Sequence, residues 1–122
     1  ITFRTGFQFE YDDPREDTSP NYHLYQFQTG LTLPSSFGCV PDIGLKYTSV
    51  KYAQFDPFDV SKKREDIRWD ITIRISRRIT DSIQIMFLWT HTLNDSNLKV
   101  AGDVDPYEFT RNVCTFLISG TF

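Results

Sequence analysis

The sequence predicts an all-β chain, an antiparallel up-and-down meander of about six strands that forms part of a transmembrane β-barrel. Three observations predict it. Apolar and polar residues alternate with period two through six segments, the spacing that turns successive side chains to opposite faces of a strand. The connections between these segments alternate between long and short. The closing stretch CTFLISGTF puts Cys114, Phe116, Ile118, Gly120 and Phe122 at every second position and stops on an aromatic. A barrel wall in lipid needs an apolar, aromatic outer face up to the membrane boundary.

The first segment, Ile1 to Tyr11, sets Ile1, Phe3, Phe7, Phe9 and Tyr11 against Thr2, Arg4, Gln8 and Glu10. In the second, Tyr22 to Leu33, Tyr25, Phe27, Leu31 and Leu33 oppose Gln26, Gln28 and Thr32. Pro34 ends that run because it cannot donate to a ladder. The third, Val40 to Tyr52, sets Ile43, Leu45 and Tyr47 against Asp42, Lys46 and Thr48. The fourth has the strictest alternation: Ile67, Trp69, Ile71, Ile73 and Ile75 interleave with Arg68, Asp70, Thr72, Arg74 and Ser76. Charge at that density needs water or paired partners on its face. In the fifth, Ser82 to Leu93, Ile83, Ile85, Phe87 and Trp89 share a face, but Met86 and Leu88 make the other partly apolar, so its orientation is open. The sixth, Tyr107 to Phe122, turns Cys114, Phe116, Ile118 and Phe122 outward and Arg111, Thr115, Ser119 and Thr121 inward.

Long polar connections, DDPREDTSPN, AQFDPFDVSKKRE and NDSNLKVAGDVDP, follow strands one, three and five. Short ones, PSSFGC and the RRITDS region, follow strands two and four. In a meander, alternate connections emerge at opposite rims, so all the long ones share a rim, as in bacterial barrels with long outer loops and short periplasmic turns. Aromatics near the long loops (Phe9, Tyr11, Tyr22, Tyr52, Phe55, Tyr107 and Phe109) stand where an interfacial girdle would lie.

Composition fits this reading. With 122 residues the chain forms one domain, and at 16% aromatic it has no apolar run near the roughly 18 residues of a spanning helix. Its net charge of −3 argues against nucleic acid as a partner. Cys39 and Cys114 are expected to be two unrelated thiols. The polar faces make Arg4, Glu10, Gln26, Gln28, Asp42, Lys46, Arg68, Asp70, Arg74 and Arg111 the candidate lumen-lining residues. In a narrow barrel they would fill the interior as a paired network; in a wide one they would line an aqueous path. Ile67, Trp69, Ile71, Ile73, Ile75, Phe116 and Ile118 are the candidate membrane-facing residues.

The final strand resembles the C-terminal strand of bacterial outer-membrane β-barrels, in which it is also the address read by the barrel assembly machinery. That resemblance makes Phe116, Ile118, Gly120 and Phe122 the assembly signal. From Arg68 onward the chain is similar to the C-terminal barrels of the surface lipoprotein assembly modifier and tetratricopeptide-linked outer-membrane protein group. The similarity rests on Arg68 and Asp70 opening a strand, the ITDS turn, Ser96-Asn97, Tyr107, Arg111-Asn112 and Phe122. It implies the bacterial outer membrane as location, lipid and lipopolysaccharide as surroundings, a preceding periplasmic helical-repeat region, and a role in export or surface display.

No site for catalysis, metal or cofactor is expected. Barrel lipases and deacylases hold a Ser close after the His on the strand, but Thr92 and Leu93 follow His91, and Ser96 and Asn97 fall in a loop. His23 has no companion at ligand spacing. Asp12, Asp13, Glu16 and Asp17 lack a calcium-loop signature and read as solvated loop charge. Six strands are fewer than the roughly eight that close a membrane barrel. With Ile1 already in strand register, upstream strands of the same protein or a second copy are expected to complete it. The function expected is a porin-like channel, transport or export component. The alternative is a soluble antiparallel barrel or sandwich binding an apolar ligand, with Ile67 to Ile75 turned inward and Arg68, Asp70 and Arg74 turned out.

Overall fold

A computed structural model describes residues 1–12, 22–55, 62–98 and 106–120. Six strands follow one another: β1 (Thr2–Asp12), β2 (Tyr22–Thr32), β3 (Cys39–Phe55), β4 (Lys63–Arg78), β5 (Ile83–Ser96) and β6 (Phe109–Gly120). They form one sheet in sequence order with every neighbouring pair antiparallel. The described residues contain no helix. The chain is therefore all-β, an up-and-down meander of six strands. Connections 13–21, 56–62 and 97–108 leave from one rim, and 33–38 and 79–82 from the other.

Register carries each strand's alternation coherently across the sheet. One row runs Phe27, Tyr47, Trp69, Leu93, and another runs Leu31, Ile43, Ile73, Trp89, Cys114. A one-residue slip anywhere would turn a strand's whole apolar set to the other face. The β5 ambiguity is resolved by pairing: Phe87 lies between Ile75 and Phe116, so Ile83, Ile85, Phe87 and Trp89 join the apolar face. Met86 and Leu88 consequently stand on the polar face, with Leu117 opposite Met86.

Burial is inverted relative to a water-soluble sheet. Leu98 is the buried hydrophobic side chain among the described residues, whereas Asp42, Thr48, Asp66, Asp70, Thr92, Asn94 and Ser96 are buried on the polar face, and Ser49 on the other. The apolar face stays open, with Phe7, Phe116 and Ile118 all more than 60% exposed. The polar face is therefore the concave one.

Three strand boundaries at the long-loop rim differ from those the sequence suggests. Strands β3 and β4 run on to Phe55 and back to Lys63, and β5 continues through Ser96, where polar loops are expected from the sequence. Apolar alternation stops at Ile67, but the ladder is made of backbone bonds indifferent to side-chain polarity, and cross-strand Lys51 and Glu65 close to 3.1 Å. Beyond that pair a bulge shifts the register between Lys51 and Phe55, which strengthens local twist. Strand β4 thus opens at Lys63, not at Arg68.

At the other rim, Ser36 and Cys39 exchange both backbone bonds at 2.9 Å around Phe37 and Gly38. Their φ values of 52° and 73° make this the two-residue hairpin turn whose twist matches the flanking strands. Cys39 accordingly starts β3 rather than lying in the loop.

Candidate functional site: the concave polar face

All ten candidate lumen-lining residues lie on the concave face, because each shares its register rows with the others. The structure draws six of them into two clusters. In the first, Asp42 accepts from Arg4 and from the Thr32 hydroxyl at 2.6 Å, and Arg74 Nη2 stands 3.3 Å from its Oδ2. In the second, Asp70 accepts from the Thr92 hydroxyl at 2.6 Å, and Lys46 Nζ and Arg68 Nε each lie 3.2 Å from its Oδ2. Each carboxylate is therefore shared by two cations. The Oδ2 of Asp70 and Nε of Arg68 are buried without a well-aligned hydrogen bond, so charge rather than bond geometry holds that contact.

Between the clusters runs a row of small residues, Gly30, Gly44, Thr72 and Thr90, which Arg4 on β1 opens. Gly30 and Gly44 put no side chain into the concavity, and the Arg4 guanidinium leans across β2 over Gly30 to reach Asp42 on β3. A Cβ at Gly30 would stand 3.6 Å from Arg4 Nη2. The resulting groove has a volume of about 620 Å³ and also takes in Gln28 and Arg111. Among the described residues Arg111 makes no ion pair. Glu10 and Gln26 lie on the same face outside this groove, Glu10 accepting from the Tyr22 hydroxyl at 2.8 Å near the long-loop rim.

That rim holds a third cluster. Arg64 Nε donates to Asp66 at 2.9 Å while its guanidinium carbon lies 3.5 Å from the Tyr107 ring centre and 4.7 Å from that of Tyr52, an arrangement combining ion pair and cation–π attraction. Asn94 Nδ2 donates to the Tyr107 carbonyl at 2.8 Å. Asn97 extends the ladder from β5 onto β4, accepting from Glu65 N at 2.8 Å and donating through Nδ2 to Lys63 O at 3.0 Å. The expected aromatic girdle is accordingly split. Phe9 and Tyr11 are on the apolar face, Tyr22, Tyr52 and Phe109 are on the concave face, and Tyr107 covers Arg64. The Phe55 side chain lies outside the described residues.

On the convex face, Trp69, Ile71 and Ile75 are exposed and Ile67 and Ile73 half-buried, and through β5 they continue into Phe116 and Ile118. Gly120 pairs with Ile83 at the short-turn rim. Phe122, Asp13, Glu16 and Asp17 and the Asp12 side chain lie outside the described residues. His91 is on the convex face, its Nδ1 2.8 Å from Asn112 Oδ1, whereas Ser96 is buried on the concave face, so the two do not meet. The His23 ring packs against that of Tyr11 across β1 and β2, the two tilted by 39°. Cys39 and Cys114 are both free thiols. Among the described residues no three of His, Cys, Asp and Glu gather as a metal site would need.

Sequence reasoning missed Thr32, Thr92, Arg64 and the glycine row. The hydroxyls matter only through register, which brings Thr92 opposite Asp70 and Thr32 opposite Asp42. A signal for the groove was present, since Gly30 and Gly44 both occupy inward positions of their strands, where every other inward residue carries a side chain. No protein-family model, curated protein or solved structure matches the chain.

Proposed function

We propose that this chain is a wall segment of an outer-membrane β-barrel whose concave face borders an aqueous path, making it a channel, transport or export component without catalysis. The observation that carries the reading is the inversion of burial: a concave face of ion pairs and a convex face of open apolar side chains. A soluble monomer rarely exposes an apolar patch beyond a few hundred Å².

Two further features support it. On β4 the convex face is apolar from Ile67 through Ile75 and bounded by charge at Glu65 and Arg77. Those nine residues are about the number, roughly 9–11, with which a tilted strand crosses the apolar core of a bilayer. Strands β1 and β6 each have one partner among the described residues. In hydrocarbon an unpaired edge costs several kcal/mol per backbone group. Further strands, from the same polypeptide or a second copy, would cover both edges. The soluble ligand-binding alternative needs the opposite distribution of faces.

The native thiols provide a test. Cys114 is exposed in the middle of β6 on the convex face. After reconstitution into vesicles, a lipid-soluble maleimide should label Cys114 and a membrane-impermeant one should not. Rapid labelling by the impermeant reagent in intact vesicles would refute the lipid-facing assignment.

A further inference from the structure

The chain as a whole carries a net charge of −3, yet the groove on its concave face carries the opposite sign. The cause is the way carboxylates are distributed. Asp42 has both Arg4 and Arg74 on it, and Asp70 has both Lys46 and Arg68. One carboxylate neutralises one cation, so each cluster keeps a surplus positive charge. Arg111, opposite Thr92 on β6, adds a third that no carboxylate among the described residues offsets.

These surpluses flank a floor of small residues, with the Arg4 guanidinium lying over it at Gly30. Gly30 and Gly44 place no side chain between the two clusters, and Thr72 and Thr90 continue the row with hydroxyls on the same face. Guanidinium groups present several donors in a plane and bind oxyanions in forked geometry, while an ammonium contributes a point charge. A concave surface bordered by low-dielectric walls focuses such a field and raises the local concentration of counter-ions.

We infer that the strip along Gly30, Gly44 and Thr72 is a binding path for anions, taking oxyanions of the phosphate or carboxylate kind between the Arg4–Arg74 side and the Lys46–Arg68–Arg111 side. This rests on the channel reading in one respect only, that the concave face is wet. Rings of Arg and Lys serve the same purpose in anion-selective pores. Arg111 is the best handle because it supports no ion pair among the described residues, so replacing it leaves both clusters intact.

Two measurements test the inference separately from the channel reading. The first is isothermal titration of the refolded protein in detergent with inorganic pyrophosphate. Saturable binding is expected, weakened about tenfold or more by Arg111→Glu, as loss of one charge-assisted contact implies, and largely retained by Arg111→Lys. The same reversal at Arg77, on the convex face, should leave binding unchanged. The second is the reversal potential across a planar bilayer in a potassium chloride gradient, expected on the anion side and displaced toward the cation side by Arg111→Glu. Absence of pyrophosphate binding, or equal loss at Arg77 and Arg111, overturns the anion path even if the protein conducts. Pyrophosphate binding without any conductance upholds the anion path and counts against the channel.

Discussion

The Thr92 hydroxyl donates to Asp70 Oδ1 at 2.6 Å across the β4–β5 ladder, and this leaves Oδ2 of the same carboxylate to Lys46 and Arg68. A residue that looks neutral in the sequence thereby orients the centre of a four-residue network. Thr92 is 1% exposed, so no water can replace the bond without rearrangement. Thr92→Val keeps the shape and removes the donor. A hydrogen bond to a charged group contributes about 1.5–3 kcal/mol, and the substitution should destabilise by that order in urea titrations of the refolded protein. An unchanged midpoint would show that the bond does not constrain Asp70.

The two faces should respond oppositely to charge. Ile71→Arg puts a guanidinium on the convex face and should cost about 2–4 kcal/mol if the site lies near the bilayer midplane. Thr72→Arg, one residue further on the concave face, should cost much less. Folding free energies measured in lipid vesicles separate the two. Equal losses, or the larger loss at Thr72, would mean the faces are assigned the wrong way round.

At the long-loop rim, Arg64 is held by Asp66 on one side and by the rings of Tyr107 and Tyr52 on the others. The stacking with Tyr107 fixes the end of the β5–β6 connection against β4. A double-mutant cycle of Arg64→Ala and Tyr107→Ala should give a coupling of about 0.5–2 kcal/mol. Additive effects would mean the proximity carries no energy.

The Ser36–Cys39 turn contains a local conflict between side chain and backbone. Phe37 is 95% exposed and adopts φ 52°, a conformation that residues other than Gly, Asn and Asp rarely take. Phe37→Asn should therefore stabilise by several tenths to about 1 kcal/mol, whereas Gly38→Ala, at φ 73°, should destabilise by about 1 kcal/mol or more. Thermal melts of the two variants moving in the same direction would contradict the turn geometry.

Much of the fold was legible in the chain because a strand writes its two faces into alternate residues. The strict alternation from Ile67 to Ser76 sufficed for β4, and neighbouring segments with the same period, joined by connections alternately long and short, implied an antiparallel meander. The boundaries at Phe55, Lys63 and Ser96 were not legible, because ladder bonds are made by the backbone and continue under charged side chains once a cross-strand pair such as Lys51 and Glu65 tolerates them.

The sequence by itself determined that Arg4, Asp42, Lys46, Arg68, Asp70 and Arg74 share one face, since parity along a strand is a local property. Only the tertiary structure decided which carboxylate each cation reaches, and that the face curls inward. Pairing register is a relation between distant segments: it sets Lys46 opposite Asp70 and Thr92 opposite Asp70 on its other side. It also aligns Gly30 with Gly44, and brings Asp42 within reach of Arg4, whose guanidinium crosses β2 over Gly30. Nothing in the order of residues along one strand specifies those meetings, because they depend on how far each neighbouring strand slides before its apolar set falls into line.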